Sequence, residues 1–212
     1  MVLFKFKIFP IIIIFVLSWI ILFNKNLLAD TKIVFLGDSI TAGYKLDKKE
    51  AYPYLIQKKL AELKYKDFKI INGGVNGSTT ASAKSRLIWY LRVKPNILFL
   101  ALGANDGLRG KEITSIKNNL SQAIKLALKN NIKVILAGMK IPTNYGKKYS
   151  KQFENIFSEL AKKYKIDLMP FLLKDVATKK ELNLNDGIHP NPKGHQVISK
   201  NVLPYITKLL KK

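Results

Sequence analysis

The chain has 212 residues, 48% of them hydrophobic, which suits one domain of ordinary size with a sizeable core plus a short extension. It contains no cysteine, which excludes a disulfide scaffold, thiolate metal sites and a cysteine nucleophile. The formal charge of +23, from 37 Lys+Arg against 14 Asp+Glu, favours anionic partners such as phospholipid head groups. The lysines are spread through every predicted helix, so a lysine-rich composition explains the charge equally well. No nucleic-acid-binding motif accompanies them, and no nucleic-acid partner is expected.

Lys5 and Lys7 precede an uncharged apolar run over residues 8–23, which is 16 residues long. Asn24-Lys25-Asn26 closes the run and Leu27-Leu28-Ala29 follows. A basic head, an apolar middle and a terminal small residue read as a secretory signal peptide over residues 1–29. The run falls short of the ~20 residues usual for a spanning helix, and an uncleaved membrane anchor is the alternative. The protein is accordingly expected to be exported, either periplasmic or anchored to the outer face of the inner membrane, with one domain over residues 30–212.

From residue 30 onward, apolar runs of strand length alternate with longer amphipathic stretches. Residues 32–36 read as a first strand, and residues 52–63 as a helix with Leu55, Ile56, Leu60 and Leu63 near helical spacing. Residues 68–71 form a second strand, ended by Asn72-Gly73-Gly74, and a helix over 81–92 is stopped before Pro95. Residues 97–102 are almost wholly apolar, as a central parallel strand should be. A long helix over 113–129, a strand over 133–137, a helix over 149–164 and a short strand over 166–169 follow. The last helix spans 193–210, and Pro204 is expected to bend it.

This βαβα alternation predicts an α/β fold: a five-stranded parallel sheet with helices on both faces, a three-layer sandwich. Ligand sites in such sheets lie at the carboxyl ends of the strands. The polar clusters fall there: Gly37-Asp38-Ser39 after the first strand, Asn72 to Thr79 after the second, Gly103 to Asp106 after the third, Ile141 to Tyr145 after the fourth. The opposite edge holds mainly Lys-rich or Pro-containing links.

Ser39 is the candidate nucleophile, since a strand-to-helix turn presents its Oγ and aims its own N–H at the same space. The elbow G-x-S-x-G is absent, because Thr41 stands where the second glycine would be. The chain has two histidines. His189 is the candidate base, with Asp186 three residues earlier as the group that orients it; His195 lies in the last helix as an exposed or packing residue. Acyl transfer also needs donors for an oxyanion. The Asn105 side chain and the Gly77 N–H are the candidates, Gly77 because a side chain there would block close approach. Taken singly, each of these residues also reads as ordinary turn or cap chemistry.

Four blocks occur in order: Gly37-Asp38-Ser39, Gly77 in Asn76-Gly77-Ser78-Thr79, Gly103-x-Asn105-Asp106 and Asp186-x-x-His189. On them the chain resembles the SGNH (GDSL-type) serine hydrolases. Asn105 to Gly110, Ile141 to Gly146 and Asp186 to Asn191 look most like the bacterial thioesterase/lysophospholipase/arylesterase branch. The resemblance implies a flavodoxin-like sandwich, with Ser39 as nucleophile, His189 as base, Asp186 as its orienter, and the Ser39 N–H, Gly77 N–H and Asn105 side chain as the oxyanion hole. No metal or organic cofactor is expected. The implied activity is hydrolysis of carboxylic esters or thioesters through an acyl-enzyme. Acyl lipids such as lysophospholipids, fatty-acyl or aryl esters, or acyl-CoA, are the expected substrates.

Leu108, Ile141, Pro142 and Tyr145 are expected to line the acyl groove, and an anionic membrane surface is a possible partner of what is expected to be a monomer. Three other readings stay open on the sequence. One is a carbohydrate or peptidoglycan O-acetyl esterase with the same triad. The second is a membrane-anchored binding protein with an inactive hydrolase fold. The third is a metal-dependent phosphodiesterase using Asp38, Asp106 and His189, for which two histidines and scattered carboxylates make a thin ligand set.

Overall fold

Five short strands set the frame in the computed structural model, which describes residues 30–210. They are β1 (Thr31–Gly37), β2 (Phe68–Gly74), β3 (Ile97–Ala101), β4 (Lys133–Ala137) and β5 (Asp167–Met169). All pair in parallel in the order β2-β1-β3-β4-β5. The signal peptide or anchor expected over residues 1–29 lies outside the described residues. Among the described residues, no helix is long and apolar enough to cross a membrane.

The strand order fixes where the helices go. Seven are present among the described residues: α1 (Ser39–Ala42), α2 (Tyr52–Glu62), α3 (Ala83–Leu91), α4 (Ala104–Leu108), α5 (Ile113–Lys129), α6 (Lys147–Tyr164) and α7 (Pro192–Thr207). The chain steps from β1 outward to β2, returns to β3, and then runs the other way through β4 to β5. Right-handed crossovers therefore place α2 on one face and α3, α5 and α6 on the other. The packing agrees: α2 lies against α7, α3 against α5, and α5 against α6. The result is the expected three-layer α/β/α sandwich. The reversal of direction falls between β1 and β3, which is where sheets of this kind open a crevice at their carboxyl ends.

Burial explains why the central strands are unbroken apolar runs. Every residue of β3 is buried, as are the last five of β1, because helices cover both faces. Phe35, Phe99 and Tyr52 meet in the middle: the Phe35 and Phe99 rings are 5.0 Å apart, and Tyr52 meets each edge-on.

The residue pattern predicts a second strand ending at Ile71, yet β2 continues through Asn72, Gly73 and Gly74, with Gly37 paired to Gly74. The glycines look like a turn but serve a close approach. A Cβ on Gly74 would sit 2.1 Å from the Ala42 nitrogen of α1, so only a bare backbone lets strand and helix touch. Residues 104–108, for which no helix is predicted, form the short helix α4. Pro204 lies inside α7, which runs on to Thr207. Thr31–Lys212 forms one compact unit that contains the whole sheet and the core.

Phe99 is fully buried at the centre of the sheet. Phe99→Ala should cost about 3–5 kcal/mol, the usual range for an aromatic truncated in a close-packed core. Urea unfolding of wild type and variant measures it, and a loss below about 1 kcal/mol would contradict this packing.

Candidate active site

Asp38, Ser39 and α1 form the first half of the site. The last residue of β1 is Gly37, and the chain turns there into α1. A Cβ on Gly37 would meet the Thr41 Oγ1 at 1.9 Å, so the turn is this tight only with glycine. Asp38 caps the helix, its Oδ1 accepting from the Ile40 N–H at 3.0 Å. Thr41 is held from behind by the Tyr52 hydroxyl at 2.9 Å, and its carbonyl accepts from Asn72 Nδ2. The Tyr52 N–H in turn donates to Nδ1 of His195, a buried residue whose pKa is pushed down to about 4 by burial. Of the two roles expected for His195, packing is the one observed. Ser39 sits at the first position of α1 and keeps 8% of its surface exposed.

The second half is a tight loop before α7. Asn183 and Pro190 form an antiparallel bridge, and the Leu184 N–H donates to the His189 carbonyl, so residues 184–189 close on themselves. Gly187 supplies the left-handed backbone at φ +68°. Asn191 anchors the end: its Oδ1 caps α7 through the Gly194 N–H, and its Nδ2 donates to the Glu181 and Asn183 carbonyls. Within the loop Asp186 Oδ1 accepts from the Ile188 and His189 N–H groups, both at 2.9 Å. Its Oδ2 lies 2.9 Å from His189 Nδ1. Desolvation pushes the Asp186 carboxyl up, but the His189 and Ile188 bonds outweigh it and hold the pKa at about 2. The spacing Asp-x-x-His is therefore an Asx-turn.

The halves meet at Ser39 Oγ and His189 Nε2, 3.0 Å apart and part-buried. Asp186, His189 and Ser39 thus form one continuous line of hydrogen bonds. Tyr44 stacks obliquely on the His189 ring, with centroids 4.5 Å apart. No sequence signal marked Tyr44, since an aromatic five residues past a serine has no distinguishing pattern.

The β2–α3 and β3–α4 loops close the third side. Asn105 Nδ2 donates to the Ser78 carbonyl at 3.0 Å, which orients the amide beside the Gly77 loop. Asp106 holds the two loops together, with its Oδ1 accepting from the Thr80 hydroxyl at 2.7 Å and its Oδ2 from the Thr80 N–H at 2.8 Å. Gly77 has φ +71°, and a Cβ there would meet only Arg109, at 3.6 Å. Glycine is needed at 77 for its left-handed backbone; the protein around it leaves a side chain room.

Arg86 donates from Nη1 to the Gly37 carbonyl at 3.0 Å and from Nη2 to the Gly73 carbonyl, tying together the carboxyl ends of β1 and β2. Burial pushes its pKa down. Of the expected groove residues, Leu108 is half-buried, Pro142 exposed and Tyr145 39% exposed. Ile141 belongs to the core: its Cγ2 lies under Gly107, so α4 rests on it. Among the described residues, no group of three His, Asp or Glu is placed to hold a metal ion, and both Asp106 oxygens are engaged by Thr80.

The sequence model of the GDSL-like lipase/acylhydrolase family matches residues 35–197. An arylesterase of Vibrio mimicus is 38% identical over 183 residues, 86% of this chain and 91% of its own. Thioesterase 1/protease 1/lysophospholipase L1 of Escherichia coli K12 is 33% identical over 164 residues, 77% of this chain and 76% of its own. Among solved structures, the psychrotrophic esterase EstA of Pseudoalteromonas sp., inhibited by monoethylphosphonate, superposes with a TM-score of 0.80. That match has 34% identity and covers 84% of this chain and 98% of that one.

Asp38 does more than cap α1. It is almost fully buried and its Oδ2 has no hydrogen-bond partner, so burial pushes its pKa from 3.8 up to about 6. The folded state therefore holds this proton more tightly than the unfolded state does. Its stabilising contribution is present below about pH 4 and is lost as pH rises through about 6. Asp38→Asn removes that dependence. Its stability relative to wild type should rise by about 2 kcal/mol between pH 4 and pH 7. Urea unfolding at both pH values measures this, and a difference that stays constant with pH would contradict it.

Proposed function

The chain belongs to the GDSL-like lipase/acylhydrolase family and is a serine esterase acting on small-molecule esters, and on that premise we propose which residues do the chemistry and on what. Ser39 Oγ attacks the ester carbonyl while His189 Nε2 takes its proton. Asp186 holds the imidazole with Nδ1 protonated and steadies the imidazolium that forms. The observation that carries this is the hydrogen-bonded line from Asp186 Oδ2 through His189 to Ser39 Oγ, at 2.9 Å and 3.0 Å.

The tetrahedral oxyanion is held by the Ser39 N–H, the Gly77 N–H and Asn105. The Asn105 amide has two N–H donors, and one is engaged by the Ser78 carbonyl, which aims the other. His189 then protonates the leaving alcohol or thiol, and water, activated by the same imidazole, releases the acid.

The proposed substrate is an acyl lipid such as a lysophospholipid or a fatty-acyl ester. Its chain lies over Leu108 toward Pro142 and Tyr145, with Ile141 as the support beneath α4. The support is the apolar character of these loops and the +23 charge, which suits an anionic lipid environment outside the cell. The basic, apolar segment over residues 1–29 supports an exported location.

Ser39→Ala should lower turnover of an aryl ester by roughly 10⁴-fold or more, and Asn105→Ala by about 10²–10³ with little change in KM. A panel of acyl chain lengths and head groups tests the substrate. The reading predicts that kcat/KM rises with chain length; turnover confined to acetyl esters, with acetate released from acetylated polysaccharide, would replace it with an O-acetyl esterase.

A further inference from the structure

Helix α3 has an inner face with a defined task and an outer face with none. Ala83 and Leu87 are buried in the core, and Arg86 clamps the ends of β1 and β2. The outer face carries Lys84, Ser85, Ile88, Trp89 and Arg92, all exposed and all at helical spacing. Ile88 and Trp89 are each 53% exposed, side by side, where a helix that only covered a sheet would carry polar residues. The Arg92 guanidinium lies 3.3 Å from the Trp89 ring centroid, so the cation and the indole form one flat unit.

The charge around this pair has one sign. Residues 68–105 contain no Asp or Glu, but they contain Lys69, Lys84, Arg86, Arg92 and Lys94. Among the described residues, no ion pair joins Lys84, Arg92 or Lys94 to an acid. A Trp and an Ile flanked by unpaired Lys and Arg match an interface that is apolar below and anionic above. Trp rings favour the head-group level of a bilayer, and each nearby cation adds attraction to anionic lipid. A protein partner of matching shape would have to supply acids to this face; an anionic lipid layer supplies them everywhere.

From this surface we propose that the outer face of α3, centred on Ile88 and Trp89 and flanked by Lys84, Arg92 and Lys94, docks the protein on an anionic lipid surface. The loop that carries Gly77 and Ser78, where Val75 is also exposed, leads into the amino end of α3, and Arg92 and Lys94 lie past its other end. Docking brings the protein to a lipid surface, and it deepens the acyl-lipid reading of the substrate. The binding itself rests on the surface alone.

The test uses residues 31–212, which hold the whole sheet, core and site, so that the apolar N-terminal segment does not itself bind lipid. Trp89 is then the single tryptophan and reports on its own surroundings. With vesicles of mixed phosphatidylglycerol and phosphatidylcholine its emission should shift to the blue. With pure phosphatidylcholine, or in high salt, the shift should be much smaller. Ile88→Asp and Arg92→Glu should each weaken vesicle binding by about tenfold or more. Turnover of a soluble aryl ester should be unchanged in both, which also shows that they fold. Emission that ignores phosphatidylglycerol, equal binding by Ile88→Asp, or a blue shift caused by self-association without vesicles would overturn the proposal. Vesicle binding without lysophospholipid hydrolysis would refute the substrate reading and leave the docking surface standing.

Discussion

The hydrogen bond between Ser39 Oγ and His189 Nε2 joins residues 150 apart in sequence, and the rest of the structure exists in a form that permits it. A part-buried bond of this kind contributes about 1 kcal/mol, far less than the entropy of closing so long a loop. The sheet and its helices must therefore bring the two residues together first. The parallel sheet fixes the end of β1, the packing of α2 against α7 fixes the start of α7, and the residues before α7 are left opposite α1. The bond is a consequence of the core, and the chemistry is a consequence of the bond.

Each half of the site is also made rigid locally, by different means. On the Ser39 side rigidity comes from close approach: glycines at 37 and 74 let the backbone of α1 press on β1 and β2, with Thr41 pinned by Tyr52. On the His189 side it comes from hydrogen bonds within a short loop, with Asp186 binding the backbone and the ring of the same histidine. Asp186 stays ionised because those bonds outweigh its desolvation, while Asp38, next to Ser39, is pushed up by burial. Two carboxyls beside one reaction site are thus held at opposite ends of their range by environment alone.

Much of this was readable from the residues. Apolar runs marked the central strands β1, β3 and β4 most plainly, because parallel strands buried on both faces need continuous apolar sequence. Ser39, Gly77, Asn105, Asp186 and His189 could be picked out because each follows a strand or precedes the last helix at the edge where such sheets place ligands. What could not be read was anything set by tertiary contact. Asn72-Gly73-Gly74 looks like a turn and is strand, because the reason for its glycines is a helix brought in from elsewhere. Ile141 looks like groove and is core, because α4 rests on it. Tyr44 meets His189 only through folding. The orphaned Asp38 oxygen and the outer face of α3 are properties of burial and exposure, which a motif does not record.

The central claim is that Ser39 is the atom-bearing nucleophile of this esterase, activated by His189. A fluorophosphonate reacts with such a serine and leaves a stable phosphonyl group on its Oγ. Intact-mass and peptide-mapping mass spectrometry of the labelled protein tests the claim directly. The account predicts a single adduct, on the peptide containing Ser39, strongly slowed in His189→Ala and absent in Ser39→Ala. Labelling that persists in Ser39→Ala at the same rate, or that maps to another serine, would contradict it.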